Sequence, residues 1–521
     1  MRETAEPTDD PHFAETFNIA DYFLENRVRE GLGSRKAVRT DARDYTYAEI
    51  LTLANRFGAV LRDAGVRAEE RVLLALPDGV EMVAAIFGTL KIGAVVVMVN
   101  PELTAEAFGY FLEYSRARVA VTSQHTDAAA TLAACHTRHL LQTFVVDEPA
   151  FAARLAASDA ALDTFPTHRD DAAIWLFTGG TTGKPKAVVQ THRSFAHSTE
   201  RYAKRVLHYG PEDITLSVPK LYFGYATGSN LFFPFAVGAS CVLLPERCTP
   251  ELIFGAIARW RPTLLINVPT MINKMMLDPA AEGGDLSCLR VCTSAGEALP
   301  TTLHHDFKAK FDVEVIDGLG TAEMWHVFVT NRPGDVRPGS LGKAVEGFDV
   351  RVRDDKGQDV EQGEVGWLWV RGDSRAQQYW QQSEGTRRVF RGPWYLSGDI
   401  VRQDADGYFY YCGRGDDMLK ISGKWLAPKE LEDCLLAHPA VSDVAVVGVE
   451  DQAGLTKPCA FVIPSGVYEG PKAELQAELQ AFARRELEPF KYPRNVVFMD
   501  ALPRTHLGKV DRGKLRREYS G

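Results

Sequence analysis

From Val72 to beyond Val315 the chain alternates short, almost wholly apolar runs with amphipathic ones, and this alternation restricts its fold more than any other feature. Val72-Leu73-Leu74-Ala75-Leu76 reads as a strand, residues 79–91 as a helix and Gly93-Ala94-Val95-Val96-Val97 as the next strand. Further strands are expected at 119–122, 143–146, 173–177, 241–244, 263–266 and 313–316. Short apolar strands separated by helices belong to parallel sheets covered on both sides. After about Gly342 the pattern changes. Residues 348–353, 366–371 and 407–412 alternate in character between turns such as Asp354-Asp355-Lys356-Gly357, as in an antiparallel unit. A last α+β unit follows Arg414, with a helix at 428–437, a hairpin across 441–462, a helix at 472–487 and a basic end. A chain of 521 residues is expected to fold as several such units.

One strand leads into an unusual loop. Ala173-Ile174-Trp175-Leu176-Phe177 is followed by Thr178-Gly179-Gly180-Thr181-Thr182-Gly183-Lys184-Pro185-Lys186. Glycines let backbone N–H groups turn toward an anion, and the threonine hydroxyls and lysines add donors and charge, so the loop suits phosphates. It is not the common phosphate loop, G-x-x-x-x-G-K-[ST] opening a helix. Thr178 stands at the first glycine position, and Pro185 follows Lys184. Taken alone, such a run also serves as an ordinary linker.

Composition narrows the partners. The 45% apolar and 25% charged content is that of a soluble globular protein. A net charge of −10 argues against nucleic acid but leaves anionic small substrates open, because local basic groups matter more than the total. The longest apolar run, residues 92–99, is too short to span a bilayer, so no membrane partner is expected. Met1-Arg2-Glu3-Thr4-Ala5-Glu6-Pro7 lacks an apolar signal core. The eight cysteines are scattered, with no C-x-x-C, which disfavours structural zinc and fits reduced thiols in the cytoplasm.

Six motifs then follow in one order. They are the loop above, Ser294-Ala295-Gly296-Glu297-Ala298-Leu299-Pro300, Gly318-Leu319-Gly320-Thr321-Ala322-Glu323, Ser397-Gly398-Asp399, Gly413-Arg414-Gly415-Asp416-Asp417, and Pro503-Arg504-Thr505-His506-Leu507-Gly508-Lys509-Val510-Asp511-Arg512. In this order and spacing the chain resembles the adenylate-forming acyl-CoA synthetases, luciferases and peptide-synthetase adenylation domains, from about residue 20 to its end. Lys220-Leu221-Tyr222-Phe223-Gly224-Tyr225, Glu323-Met324-Trp325-His326 and residues 331–339 look most like benzoate–CoA and 2-aminobenzoate (anthranilate)–CoA ligases.

The resemblance implies an α/β fold. A large N-terminal domain, residues 1–415, would comprise two parallel α/β subdomains and an antiparallel barrel-like unit, and hold the acid and ATP. A small mobile α+β domain, residues 416–521, would carry the catalytic lysine. The implied chemistry joins a carboxylate to the α-phosphorus of ATP, then passes the acyl group from AMP to coenzyme A. Thr178, Gly179, Gly180, Thr181, Thr182, Gly183 and Lys184 would hold phosphates. Gly296, Glu297, Ala298, Asp317, Gly318, Leu319, Gly320 and Thr321 would enclose the nucleotide. Asp399 would take the ribose hydroxyls from a turn ahead of a β run, and Arg414 would face the nucleotide. Glu323 would ligate Mg²⁺. Lys509 would bridge carboxylate and α-phosphate, as a point cation on a flexible stem can. Asp416 would be the hinge, and Lys420, Ser422, Gly423 and Lys424 would line the coenzyme A path.

For the acid, Gly224, Tyr225, Ala295, Gly320 and His326 are the implied contacts. Tyr225 would form an aromatic wall, His326 would donate to the carboxylate, and the two glycines would leave room for a ring. Trp325 is expected to face the core. One departure stands out: Ala322 replaces the threonine usual before the metal-binding glutamate, and Thr321 is the nearest hydroxyl that could compensate. Partners are therefore a small aromatic acid and a thiol, coenzyme A or an acyl carrier protein, in a monomer or homodimer. An appended carrier domain is not expected in the short stretch after Arg512. A non-catalytic nucleotide-binding protein is disfavoured by the joint presence of Lys509, Glu323 and Asp399.

Overall fold

The computed structural model describes residues 11–135, 137–179, 184–421, 424–450, 455–466, 468, 470–504 and 510–519, with the backbone alone for Asp416, Lys420, Lys424 and Trp425. Local chemistry sets many of the elements. The helix Tyr47–Asp63 opens on a capping box, in which the Thr46 hydroxyl accepts from Glu49 N while Glu49 accepts from Thr46 N at 2.8 Å. It packs on the helix Val80–Lys91, buried at every position except Glu81, through two glycines. A Cβ on Gly58 would lie 2.8 Å from Gly88 O, and one on Gly88 would lie 2.7 Å from Ala54 O.

Two large sheets form as the alternation predicts. One has seven strands in the order Gln378–Tyr379, Lys186–Thr191, Ala172–Thr178, Val95–Met98, Arg71–Ala75, Val119–Thr122 and Gln142–Val145. It is parallel from Ala172–Thr178 onward. The other has nine: Lys343–Ala344, Val327–Thr330, Val315–Gly320, Val291–Ser294, Leu264–Asn267, Ile214–Ser217, Ser240–Val242, Lys36–Arg39 and Asp44–Thr46. Its interior is parallel as well. Each of the two sheets has an antiparallel margin. Ala172–Thr178 and Lys186–Thr191 are antiparallel, and so are Val315–Gly320 and Val327–Thr330. Both hairpins matter below, because the loop expected to hold phosphates connects the first and Glu323 lies in the turn of the second.

A five-stranded sheet follows, ordered Asp349–Arg353, Val365–Arg371, Trp394–Gln403 and Phe390–Arg391, with Phe409–Arg414 paired to Trp394–Gln403. Nearer the C-terminus, Val441–Glu450 and Thr456–Pro464 are antiparallel and Asn495–Phe498 runs parallel to the latter. The helices Pro428–Leu436 and Lys472–Glu486 pack on this sheet around Leu431, Leu435, Val446, Leu475 and Leu479. The chain divides into two compact units, residues 1–350, 370–396 and 407–409, and residues 351–369, 397–406 and 410–521. The expected boundary at 415/416 falls inside the second. Among the described residues no helix is long and apolar enough to cross a membrane.

Candidate active site

In the first unit the loop expected to hold phosphates leaves the sheet at Thr178, which pairs with Lys186 across the hairpin. Gly179 is exposed, and Gly180, Thr181, Thr182 and Gly183 lie outside the described residues. The far side of the loop is tied down. The Tyr110 hydroxyl donates to Pro185 O at 2.6 Å, and the Lys184 ammonium stands 5.4 Å from the centre of the Tyr110 ring. Trp175, in the strand that enters the loop, packs on Trp380 with ring centres 4.7 Å apart and planes at 40°.

The two segments expected to enclose the nucleotide are neighbours. Val291–Ser294 and Val315–Gly320 are parallel, with Ser294 opposite Asp317. Ala295 is buried, Gly296 and Glu297 are exposed and Ala298 is half-buried. Glu297 accepts from the Thr270 hydroxyl at 2.7 Å. Gly296 has φ +89°, a conformation that favours glycine. Burial pushes the Asp317 carboxyl up to about 8, with only partial relief from Ser294 and Gly318. Gly318 and Gly320 serve the hairpin. A Cβ on Gly318 would meet Val329 O at 2.9 Å, and one on Gly320 would meet His326 O at 2.7 Å. Gly320 therefore permits strand contact where the sequence suggested room for a ring.

Glu323 lies on the short 3-10 turn Ala322–Met324, capped by the Thr321 hydroxyl, which accepts from Met324 N at 3.3 Å. Thr321 thus has a local partner. The Glu323 carboxylate is buried and accepts two phenol hydroxyls, from Tyr379 at 2.7 Å on Oε1 and from Tyr395 at 3.1 Å on Oε2. Sequence reasoning missed both tyrosines, which come from far along the chain and carry no motif of their own. Trp325 then adopts φ +60°, ψ −48°, and His326 N donates to Met324 O at 2.8 Å, a strained γ-turn for a non-glycine residue. Its indole is buried against Phe195 and Phe233, as the core reading expected.

The turn delivers His326 into a cluster of rings. Its centre lies 4.6 Å from that of Phe233, 5.4 Å from Tyr202 and 5.6 Å from Tyr225. Nε2 is 3.2 Å from both the Ser229 hydroxyl and Tyr225 O. A carbonyl only accepts, so the proton belongs on Nε2, and that N–H is already engaged. Nδ1 is buried, with no hydrogen-bond partner among the described residues. Burial lowers the histidine to about 3, so it is neutral at working pH. Donation to a substrate carboxylate, as the sequence suggested, needs the other tautomer. Tyr225 is the second residue of the helix Gly224–Thr227, and its hydroxyl shares a 2.7 Å hydrogen bond with Thr293. A Cβ on Gly224 would meet Leu176 at 2.9 Å, and one on Gly228 would meet the His326 ring at 2.4 Å. Gly228, Ser229 and Thr293 were not legible as site neighbours, since only the fold brings them to His326 and Tyr225.

In the second unit Asp399 sits inside the strand Trp394–Gln403, not in a turn ahead of one. The kink that suggested a turn is real: Gly398 has φ +78°, and a Cβ there would crowd Arg414 Nη2 at 2.9 Å. Asp399 is buried and accepts from Arg414 Nη1 at 2.9 Å, which also donates to Ser397 O at 3.1 Å. Asp416 lies in the 3-10 turn Gly415–Asp417. The next residue, Asp417, is held by Arg516 at 2.6 Å and Arg512 at 3.7 Å. Arg512 is bidentate to buried Glu432, at 2.5 and 3.0 Å. Lys420 and Lys424 stand on the paired strands Leu419–Ile421 and Lys424–Leu426. Ser422, Gly423 and Lys509 lie outside the described residues.

Known proteins share this architecture. The AMP-binding enzyme family matches residues 24–380, and the C-terminal domain of AMP-binding enzymes matches residues 430–509. Benzoate–CoA ligase of Thauera aromatica is 40% identical over 96% of this chain and 96% of its own. The crystal structure of the anthranilate CoA ligase AuaEII in complex with anthranoyl-AMP superposes with a TM-score of 0.89 at 35% identity, covering 97% of this chain and 98% of that one. A benzoate CoA ligase from Burkholderia xenovorans LB400 gives 0.86 at 38% identity, covering 96% and 100%.

Proposed function

The chain belongs to the AMP-binding enzyme family, and on that premise we propose that it activates a small aromatic carboxylic acid, of benzoate or 2-aminobenzoate type, and transfers it to coenzyme A. It is an AMP-forming acid–CoA ligase. In the first half-reaction a carboxylate oxygen attacks the α-phosphorus of ATP and the bond to pyrophosphate breaks. In the second the coenzyme A sulfur attacks the acyl carbon and AMP leaves. The first step brings two anions together, so positioning and charge stabilisation carry most of the catalysis.

The observation that carries the aryl reading is the ring cluster around neutral His326, with Tyr225 pinned by Thr293. Flat walls with few polar atoms favour a flat ring, and the benzoate and anthranilate ligases among the relatives support the same class. The unpartnered His326 Nδ1 is an acceptor. It favours a ring bearing an amino or hydroxyl donor over an unsubstituted one.

In our reading the loop 178–184 holds the β- and γ-phosphates, residues 296–298 and 317–321 enclose the base, Asp399 takes the ribose and Lys509 bridges acid and α-phosphate. Glu323 fits Mg²⁺: it is a buried carboxylate whose donors are uncharged hydroxyls. Among the described residues no group of three or more metal-ligating side chains exists, so the ion would complete its shell from phosphate and water oxygens. Bound there, it would neutralise phosphate charge. The functional boundary at 415/416 is supported by fixed residues on each side, Arg414 on Ser397 and Asp399, and Asp417 on Arg512 and Arg516. Only Gly415 and Asp416 separate these anchors, which suits a pivot at Asp416.

Pyrophosphate release on a panel of aryl and fatty acids, with and without coenzyme A, tests the reading. Benzoates should turn over and yield a thioester, and faster turnover of a long-chain fatty acid would refute the aryl class. Acyl transfer to a carrier protein but not to coenzyme A would favour a stand-alone aryl-adenylating enzyme. Lys509→Ala should slow adenylation about 10²-fold or more while sparing thioester formation from preformed aryl-AMP.

A further inference from the structure

The segment 376–380 is stitched along both sides. Ala376 N donates to Glu323 O at 2.7 Å, Gln377 N to Val189 O at 3.1 Å and Trp380 N to Ala187 O at 2.9 Å. Gln190 Nε2 closes the same seam on Ala322 O at 2.6 Å. Tyr379, paired with Val188 in the strand that leaves the phosphate loop, is thereby fixed in orientation and 2% exposed. Its hydroxyl donates to Glu323 Oε1 at 2.7 Å, while the Lys186 ammonium sits 3.8 Å from the centre of its ring. One side chain thus touches both the exit of the phosphate loop and the candidate metal ligand.

We propose that Tyr379 is a positioning residue that sets the Glu323 carboxylate for Mg²⁺ in register with the phosphate loop, a role that rests on the reading of Glu323 given above. Each carboxylate oxygen has two lone pairs. A phenol takes one on Oε1, and the Tyr395 hydroxyl takes one on Oε2, so the pair of bonds holds the group's orientation and, among the described residues, a second pair on each oxygen stays available. Neither donor is charged, so the carboxylate keeps its attraction for a cation. Lys186 over the π face draws electron density from the phenol and strengthens its O–H as a donor. Partners of this kind around a metal ligand are worth about 10–100-fold in metal affinity.

Tyr379→Phe removes the hydroxyl and keeps the ring under Lys186. ATP binding measured by calorimetry without acid, so that nothing turns over, is titrated with Mg²⁺ and repeated in EDTA. The half-saturating Mg²⁺ concentration should rise about tenfold. ATP affinity in EDTA should stay within about twofold, and excess Mg²⁺ should restore wild-type affinity, as expected when only one outer partner of the metal ligand is lost. Tyr395→Phe should shift the Mg²⁺ requirement in the same direction. Unchanged Mg²⁺ dependence of Tyr379→Phe overturns the proposal, and so does equal weakening in EDTA, which marks a purely structural tyrosine. Glu323→Gln is the control. If that variant keeps wild-type Mg²⁺ dependence, the metal assignment itself has failed and the proposal goes with it.

Discussion

Glu323 and Asp399 are both buried carboxylates, and they are satisfied in opposite ways. Asp399 has a guanidinium against it, while Glu323 is held by two neutral hydroxyls and makes no ion pair among the described residues. Burying a carboxylate without a cation is unfavourable unless one arrives with a ligand. Asp399 is already compensated and suits neutral donors such as sugar hydroxyls. Glu323 is not, and suits a metal. Asp317 supplies a third case: it is buried with no cation against it among the described residues, and its carboxyl is pushed up to about 8. The lesson is that the partner of a buried acid, more than its burial, separates the roles proposed for these residues.

The largest effect should come from Glu323→Gln, which keeps the shape and removes the charge. Adenylation should fall about 10²-fold or more, on the scale of losing one charge-stabilising group, and steady-state kinetics against Mg²⁺ should lose their saturation. Asp399→Asn should raise the KM for ATP by about tenfold, the worth of a hydrogen bond to a charged acceptor, and leave Mg²⁺ dependence alone. A shift in Mg²⁺ dependence for the Asp399 variant would erase the distinction. His326→Ala should weaken aryl-acid activation by about 1–3 kcal/mol in kcat/KM, more for amino- or hydroxybenzoates than for benzoate, if Nδ1 accepts from the ring substituent.

A last effect, on stability and not on catalysis, concerns Asp317. Its folded carboxyl titrates about 8 against an ordinary 3.8, so the folded state holds a proton that the unfolded chain releases. Between these values stability falls as pH rises, and the cost is complete above about 8. Asparagine has no such cost. Asp317→Asn should therefore gain on the wild type in thermal unfolding from pH 5 to pH 9, and parallel curves would show that Asp317 titrates normally.

Much of the fold was legible, because apolar strands between helices admit few arrangements. The strands at 119–122 and 172–178 and the helix 428–436 lie within a residue or so of their expected places. The antiparallel margins were not legible. Gln378–Tyr379 is only two residues long, too short for any periodicity, yet it brings the phenol to Glu323. Asp399 was misplaced because a glycine with positive φ inside a strand looks, in sequence, like one in a turn. Motifs marked Glu323 and His326. Their partners Tyr379, Tyr395 and Ser229 are set by packing between distant segments and leave no local trace.

The Trp175–Trp380 pair gives the protein a built-in optical gauge. Two indoles at 4.7 Å and a fixed 40° tilt are near enough for their excited states to mix, and a chiral pair of this kind yields a paired signal in near-ultraviolet circular dichroism. One indole rides on the strand that enters the phosphate loop, and the other closes the segment that carries Tyr379. The Arg71 guanidinium lies 5.7 Å from each ring, adding a nearby charge to which their emission is sensitive. Any adjustment between those two segments should register in this signal without a label.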